Sequence, residues 1–177
     1  MEKIEKELCP FCNNKTLTLI EDQIDIPYFG KCYLFSMSCS SCNYNKSDVE
    51  AGERKEPTRY TFEVKSKKDL SARVIKSSEA TIKVPELKMS VTPGPASEGY
   101  ISNVEGVLER FKKIIESERD IAEDDKTRIK AKNLLKKLWK VMLGEVSVKI
   151  IIEDPSGNSA IISKEAKVEK LKVKEST

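Results

Sequence analysis

Apolar and polar residues alternate along much of this chain, and the alternation predicts a mainly β protein. A period of two places one face of a strand against a core and the other face in water. Tyr60, Phe62 and Val64 show the pattern clearly, because polar or charged residues separate them. The strands predicted before the middle of the chain span residues 16–20, 31–38, 60–65, 80–84 and 87–91.

The pattern changes to a helical period in the middle of the chain. Ser102 and Glu105 fit a capping box, which predicts Ser102 as the N-cap of a helix that ends at about Arg119. A second helix with apolar residues at helical spacing ends near Gly144, a suitable C-terminal cap. We expect an antiparallel helical hairpin at about residues 103–143, with the leucine and tryptophan side of the second helix packed inward.

Alternation returns after the hairpin. Residues 146–152 alternate, residues 154–158 have turn composition and residues 160–163 start a return strand, so a β-hairpin is predicted. Residues 166–174 predict an edge strand or a frayed end. Strands precede and follow the helices instead of alternating with them. We therefore predict an antiparallel β-domain with an inserted helical hairpin, and not a doubly wound α/β fold.

The cysteines divide the chain into two predicted domains. All five cysteines fall within residues 1–46, which we interpret as a small metal-nucleated module. Residues 47–57 are polar and contain Gly52 and Pro57, so they predict a linker or an exposed turn. Residues 47–177 then make up the β-domain.

The composition argues against most catalytic sites. None of the 177 residues is histidine, which excludes Ser-His-Asp triads, HExxH metalloprotease helices and histidine-ligated metals. Paired carboxylates at informative spacing and glycine-rich phosphate loops are also missing from the sequence. The 32 Lys and Arg residues nearly balance the 29 Asp and Glu residues, so the net charge of +3 does not favour a nucleic-acid-binding protein.

The cellular location is predicted from what the chain lacks. Its charged N-terminus has no apolar segment typical of a signal peptide, and no apolar run approaches the roughly 18 residues of a membrane span. Closely paired cysteines suit metal thiolates in a reducing compartment better than disulfides. We therefore expect a cytoplasmic protein that does not contact a membrane.

Two Cys-x2-Cys motifs carry the strongest chemical signal. Cys9 and Cys12 form the first pair, and Cys39 and Cys42 form the second. Four thiolates complete the tetrahedral coordination of Zn²⁺, which leaves no open position for water and predicts a structural ion. The alternatives are an iron-sulfur centre and a redox dithiol. Cys32 lies outside both pairs, and we interpret it as a small buried hydrophobe.

Two further groups of residues are candidates for partner binding. Tyr28 and Phe29 belong to an aromatic cluster that either stacks on single-stranded nucleic acid or covers the metal module. Lys130, Lys136 and Lys137 belong to the basic face of the second helix. That face either binds phosphate or an acidic partner, or is simply the solvated side of the hairpin.

Seven short motifs, in their order along the chain, resemble signatures of the ZPR zinc-finger protein family of archaea and eukaryotes. The segment from residue 9 to about residue 162 carries this resemblance. The motifs are CPFC at 9–12, DIPYF at 25–29, SCSSCNY at 38–44, DL at 69–70 followed by VIKSS at 74–78, IKVPEL at 82–87, NVEG at 103–106 and DPSGNS at 154–159.

The resemblance implies a four-cysteine zinc ribbon followed by a β-domain similar to a double-stranded β-helix, with the helical hairpin inserted. Eukaryotic members resemble two such modules in tandem, whereas this chain has room for one and resembles a single-module, archaeal-type member. Members of the family bind translation elongation factor 1-alpha and are implicated in its folding. The resemblance also makes Glu86 a candidate contact residue.

Three hypotheses about function follow. The first is a non-enzymatic, zinc-stabilised chaperone or adaptor that binds elongation factor 1-alpha. The second is a nucleic-acid-binding protein that uses the ribbon and the basic helix. A cupin-like enzyme is the third, and the lack of histidine ligands disfavours it.

Overall fold

A four-stranded antiparallel sheet forms the N-terminal part of the computed structural model, which describes residues 1–26 and 30–172. Its strands follow the chain order: β1 (Glu2–Glu7), β2 (Leu17–Ile26), β3 (Gly30–Cys39) and β4 (Asn45–Ala51). Strands β2 and β3 confirm the two predicted runs and extend them. The sequence pattern missed β1 because all of its side chains are exposed, so it has no apolar face.

Strand β4 corrects the prediction of a linker that begins at residue 47. Residues 45–51 pair with β3 from Ser38↔Asn45 to Cys32↔Ala51, so the first part of the predicted linker belongs to the N-terminal sheet. The proposed domain division after residue 46 falls inside this strand. The division of the chain into domains 1–46 and 47–177 stays a prediction.

Two antiparallel sheets form the second part of the chain. The larger sheet has the order β12-β5-β10-β7-β8, and the smaller sheet has the order β11-β6-β9. The strands are β5 (Thr58–Val64), β6 (Arg73–Lys76), β7 (Thr81–Val84), β8 (Met89–Val91), β9 (Tyr100–Asn103), β10 (Val148–Asp154), β11 (Ala160–Ile162) and β12 (Lys167–Lys170). This arrangement confirms the mainly β, antiparallel fold, and β12 is the edge strand predicted near the end of the chain.

The predicted helical hairpin is present between β9 and β10. Helix α1 spans Val104–Ile121 and helix α2 spans Asp125–Met142. Asn103 caps α1 by accepting a hydrogen bond from the Gly106 amide at 2.8 Å, so the prediction of Ser102 as the N-cap is wrong. Ser102 precedes the observed N-cap by one residue and lies in β9, where it pairs with Val74. In the described part of the chain, no helix is long and apolar enough to cross a membrane.

The predicted β-hairpin after the helices is wrong. Strand β10 pairs with β5 and β7, so both of its edges are occupied, and β11 pairs with β6 in the smaller sheet. The buried Asp154 carboxylate folds the connecting loop onto itself. It accepts hydrogen bonds from the Ser156 and Asn158 amides and from the Ser156 and Ser159 hydroxyls at 2.6–2.9 Å. Gly157 adopts a φ of 68°, which directs the chain to the other sheet.

One apolar core joins the two sheets to the hairpin. Phe62 and Ile150 enter it from the larger sheet, Val74 from the smaller sheet and Leu108 from α1. Leu138 of α2 is buried as predicted, with 1% of its surface exposed. Trp139 is not, because 58% of its surface is exposed. The inward packing predicted for the tryptophan is therefore wrong.

Strand β4 also joins the N-terminal sheet to the second part. Val49 packs against a small buried cluster that includes Cys32 and Ile75. The Asp48 carboxylate accepts a hydrogen bond from the Gly99 amide at 2.8 Å. A Cβ atom on Gly99 would lie 2.1 Å from the Val49 carbonyl oxygen, so only glycine permits this close approach.

Gly99→Ala should therefore destabilise the protein. We expect the free energy of unfolding to fall by about 1–3 kcal/mol, because the added methyl group forces β4 away from the second part. Gly94→Ala is the matched control, since nothing lies within 4 Å of its Cβ position. Urea unfolding of both variants measures the difference. Equal stability of the two variants would contradict the proposed close contact.

Candidate metal centre

The two Cys-x2-Cys motifs form matching turns at one end of the N-terminal sheet. In the first turn, the Cys9 amide donates to the Asn14 carbonyl and the Cys9 carbonyl accepts from the Asn13 amide, both at 2.9 Å. The second turn repeats these bonds between Cys39 and residues 43 and 44 at 2.8–3.0 Å. Asn13 and Asn43 have φ values of 55° and 57°, a left-handed conformation that asparagine tolerates well.

Strand register brings the two turns together. Leu17 of β2 pairs with Cys39 of β3, so the turn before β2 lies beside the turn after β3. The sulfur atoms of Cys9 and Cys42 are 3.7 Å apart, as are those of Cys12 and Cys39. All four sulfur atoms lie within 4.8 Å of one another.

These distances fit a tetrahedral zinc site. With Zn–S bonds of about 2.3 Å, the sulfur atoms of a regular tetrahedron are about 3.8 Å apart. The donor set is four sulfurs with no oxygen or nitrogen, which suits a soft metal ion and a structural role. The prediction of one structural zinc ion is confirmed, with Cys9, Cys12, Cys39 and Cys42 placed to hold it.

The thiols differ in how easily they lose their protons. The Thr16 hydroxyl lies 3.2 Å from the Cys39 sulfur, and its hydrogen bond lowers the pKa of Cys39 to about 6 despite desolvation. The pKa of Cys42 shifts in the opposite direction. A hydrogen bond from the Tyr44 amide lowers it, but desolvation and the neighbouring thiols have the larger combined effect and raise the pKa of Cys42 to about 12. Zinc binding therefore has to displace protons from the site.

Thr16 also belongs to this site, although the sequence pattern did not indicate it. It is 23 positions away from Cys39, and only the β2–β3 register places its hydroxyl beside that sulfur. A hydrogen bond to a ligating thiolate orients the ligand and stabilises its charge. Tyr44 packs against the buried cluster that contains Cys9 and Cys39, and its ring contacts that of Phe11, with the centroids 4.5 Å apart.

Cys32 is separate from the metal centre, as predicted. Its side chain is fully buried with Ile75 and Ala160 where β3 meets the second part of the chain. Burial raises the pKa of the Cys32 thiol, so it stays protonated and packs as a small apolar group.

The candidate partner-binding residues do not form one site. Tyr28 and Phe29 lie outside the described residues. Lys137 donates a hydrogen bond to the Glu86 carbonyl oxygen at 2.6 Å, and the Glu86 carboxylate accepts one from the Lys149 amide at 3.0 Å. Glu86 and Lys137 thus connect α2 to the larger sheet through the 3-10 turn Pro85–Leu87. Their roles as partner contacts stay predictions.

Lys130 and Lys136 are exposed on α2. The sequence pattern did not identify Trp139 as a surface residue, because its spacing on the helix is the same as that of a core residue. Lys136, Trp139, Lys140 and Leu143 line one shallow surface depression. We call these four residues the α2 face.

Cys39→Ser should lose the metal, because serine leaves three thiolates around the ion. Cys32→Ser should keep it, although the buried hydroxyl will lower stability by about 1–3 kcal/mol. The zinc content of each variant after gel filtration measures whether it retains the metal. A Cys39→Ser protein that retains its zinc would show that the ligand set is wrong.

Comparison with known proteins agrees with this geometry. The ZPR1 zinc-finger domain matches residues 3–57, and the ZPR1 jelly-roll domain matches residues 68–177. An uncharacterized ZPR1-like protein of Methanocaldococcus jannaschii is 40% identical over 97% of this chain and 91% of its own length. A second uncharacterized ZPR1-like protein, from Pyrococcus horikoshii, is 41% identical over 92% of this chain and 75% of its own length.

Longer eukaryotic proteins match as well. The zinc finger chaperone zpr1 of Schizosaccharomyces pombe is 27% identical over 88% of this chain, which spans 34% of that protein. The matching zinc-finger domain precedes the matching jelly-roll domain along the chain, which is the order of the predicted zinc ribbon and β-domain. The chain belongs to the ZPR1 family of zinc-finger proteins.

Proposed function

We propose that this protein is a non-enzymatic, zinc-stabilised chaperone or adaptor that binds translation elongation factor 1-alpha. The family resemblance described above implies this partner. The S. pombe relative carries the word chaperone in its name. A four-thiolate site supports a non-enzymatic role, since it leaves no metal position for a substrate or a water molecule.

The exposed tryptophan of the α2 face is the observation that carries the proposal. Trp139 is 58% exposed on a helix whose other large apolar residues mostly face the core. Tryptophan is enriched among the residues that contribute most to protein–protein binding. Lys136, Lys140 and Glu145 line the same depression, so its charge is net positive and complementary to an apolar patch with acidic surroundings.

Nucleic-acid binding is the second candidate, and the charge of α2 favours it. The helix carries seven cationic side chains, and its N-terminal Asp125 is its only acid. Cations on one helix can contact phosphates, and an exposed tryptophan can stack on a base. The cations are Lys126, Arg128, Lys130, Lys132, Lys136, Lys137 and Lys140.

We place the activity in the cytoplasm. The binding partner is a translation factor, and the free thiols of the zinc site persist best in a reducing compartment.

Replacing Lys136 and Lys140 by Glu should weaken binding to elongation factor 1-alpha by about tenfold or more, since both charges on the docking surface are reversed. Both side chains are exposed, so the fold should be unaffected. Lys164→Glu combined with Lys167→Glu makes the same charge change at exposed positions near β12 and serves as the control. Titrations use the zinc-loaded protein and the factor in its GDP and GTP forms.

Competition with a structured RNA separates the two candidates. Binding to the factor that RNA does not inhibit, and that only the α2 variant weakens, supports the chaperone or adaptor. RNA binding that falls steeply with salt, without any binding to the factor, would overturn it in favour of the second candidate. Equal weakening of binding by the two double variants would show that α2 is not the docking surface.

A further inference from the structure

A cleft lies between β4, the segment before β9 and helix α1. Its volume is about 770 Å³, which is within the range of small-molecule sites. Asn45 and Ser47 of β4 form one side, and Arg110 and Lys113 of α1 form another. Among the lining residues, Tyr44 is shared with the zinc centre, and none belongs to the α2 face.

Positive charge is concentrated in the cleft. Four cationic side chains line it, with Glu98 as the only carboxylate among the lining residues. Lys46 forms an ion pair with Glu98 at 2.8 Å. Within residues 1–26 and 30–172, the other three cations, Lys76, Arg110 and Lys113, form no ion pair.

Lys76 is the most unusual of these cations because it is buried. Only 5% of its surface is exposed, and its ammonium group donates to the Ser77 carbonyl at 2.8 Å and to the Ser97 hydroxyl at 3.4 Å. Both acceptors are neutral, and an ammonium group has a third N–H to donate. Burying a charge without a charged partner is costly, so an anionic ligand would relieve that cost.

Two carboxylates act on Lys76 only from a distance. Burial lowers the pKa of Lys76. Asp154 and Asp48 favour its charged form, but neither reaches ion-pair distance. Asp154 is occupied by its own loop, as described above. Asp48 accepts hydrogen bonds from the Val49 and Gly99 amides, each at 2.8 Å. Neither carboxylate therefore fills the role of a partner inside the cleft.

Arg110 faces the same space. Its guanidinium carbon lies 4.1 Å from the centre of the Tyr100 ring, and the Lys76 nitrogen lies 5.8 Å from that centre. One turn away on α1, the neighbours of Arg110 are Gly106 and Ile114, neither of which is acidic. Glu109, the adjacent acid, pairs with Lys112 at 3.2 Å instead. The helix thus presents an arginine that it does not neutralise.

We infer that this cleft binds the phosphate groups of a small phosphorylated molecule. Three unpaired cations call for a ligand with two or more negative charges, which phosphate groups supply more readily than a single carboxylate. Arginine matches the geometry of phosphate oxygens, and the Ser47 and Ser97 hydroxyls add neutral donors. Ile82 and Val91 supply an apolar wall for the organic part of the ligand. The inference does not depend on the function proposed above.

Calorimetric titration of the zinc-loaded full chain with pyrophosphate, ADP and citrate tests the inference. We expect pyrophosphate and ADP to bind at low ionic strength, ADP more tightly, and citrate to bind at least tenfold more weakly than either. Arg110→Gln should weaken pyrophosphate binding by about tenfold or more, because it removes charge-assisted hydrogen bonds. Lys113→Gln should weaken it too and provides a second exposed variant of the cleft.

Lys112→Gln is the matched control, since it removes one positive charge from the same helix at a residue outside the cleft. It should leave pyrophosphate affinity within about twofold of the original protein. Three results would overturn the inference: no binding of pyrophosphate or ADP, equal weakening by Arg110→Gln and Lys112→Gln, or citrate binding as tight as that of pyrophosphate. ADP binding no tighter than pyrophosphate binding would refute the role of the apolar wall.

Discussion

Thiolate coordination is the constraint on which the N-terminal sheet depends. At the metal end of this sheet, the fully buried residues are only Cys9, Leu17 and Cys39 among the described residues. Every side chain of β1 is exposed, so that strand adds almost nothing to a core. Apolar burial on this scale does not offset the entropy of ordering four strands. Zinc binding supplies the missing free energy and fixes the two turns that set the register of β2, β3 and β4.

The effect of the metal extends beyond the ribbon because β4 is shared. One edge of this strand pairs with β3, and its Asp48 binds the Gly99 amide of the second part. Lys46 of the same strand pairs with Glu98 at the mouth of the cationic cleft. The cleft is therefore assembled from both halves of the chain. A ribbon that loses its zinc would lose one wall of the cleft, although none of the cleft residues touches the metal.

Sequence reasoning was most successful where the signal is local. The metal ligands, the two helices and the central strands follow from short spacings and periodicities, and all of them are present. It failed where the outcome depends on distant partners. The pattern around Asp154 is typical of a hairpin turn, but β10 already has a neighbour on each side, so the chain crosses to the other sheet. Trp139 has core-like spacing, yet Leu138 occupies the position that faces the core. The cationic cleft unites residues from positions 44 to 114, which no local pattern brings together.

The helical hairpin connects the two surfaces that we propose bind other molecules. Helix α1 packs on the core through Leu108 and Phe111 and presents Arg110 to the cleft. Helix α2 packs on α1 and carries the exposed Trp139. Lys137 donates a hydrogen bond to the Glu86 carbonyl oxygen and so connects α2 to the turn that precedes β8. The hairpin is therefore held by this hydrogen bond as well as by its apolar contacts with the core. A ligand in the cleft and a partner on α2 thus contact opposite members of one packed helix pair. Any shift of that pair on the sheets changes both surfaces together, because well-packed helices move as units.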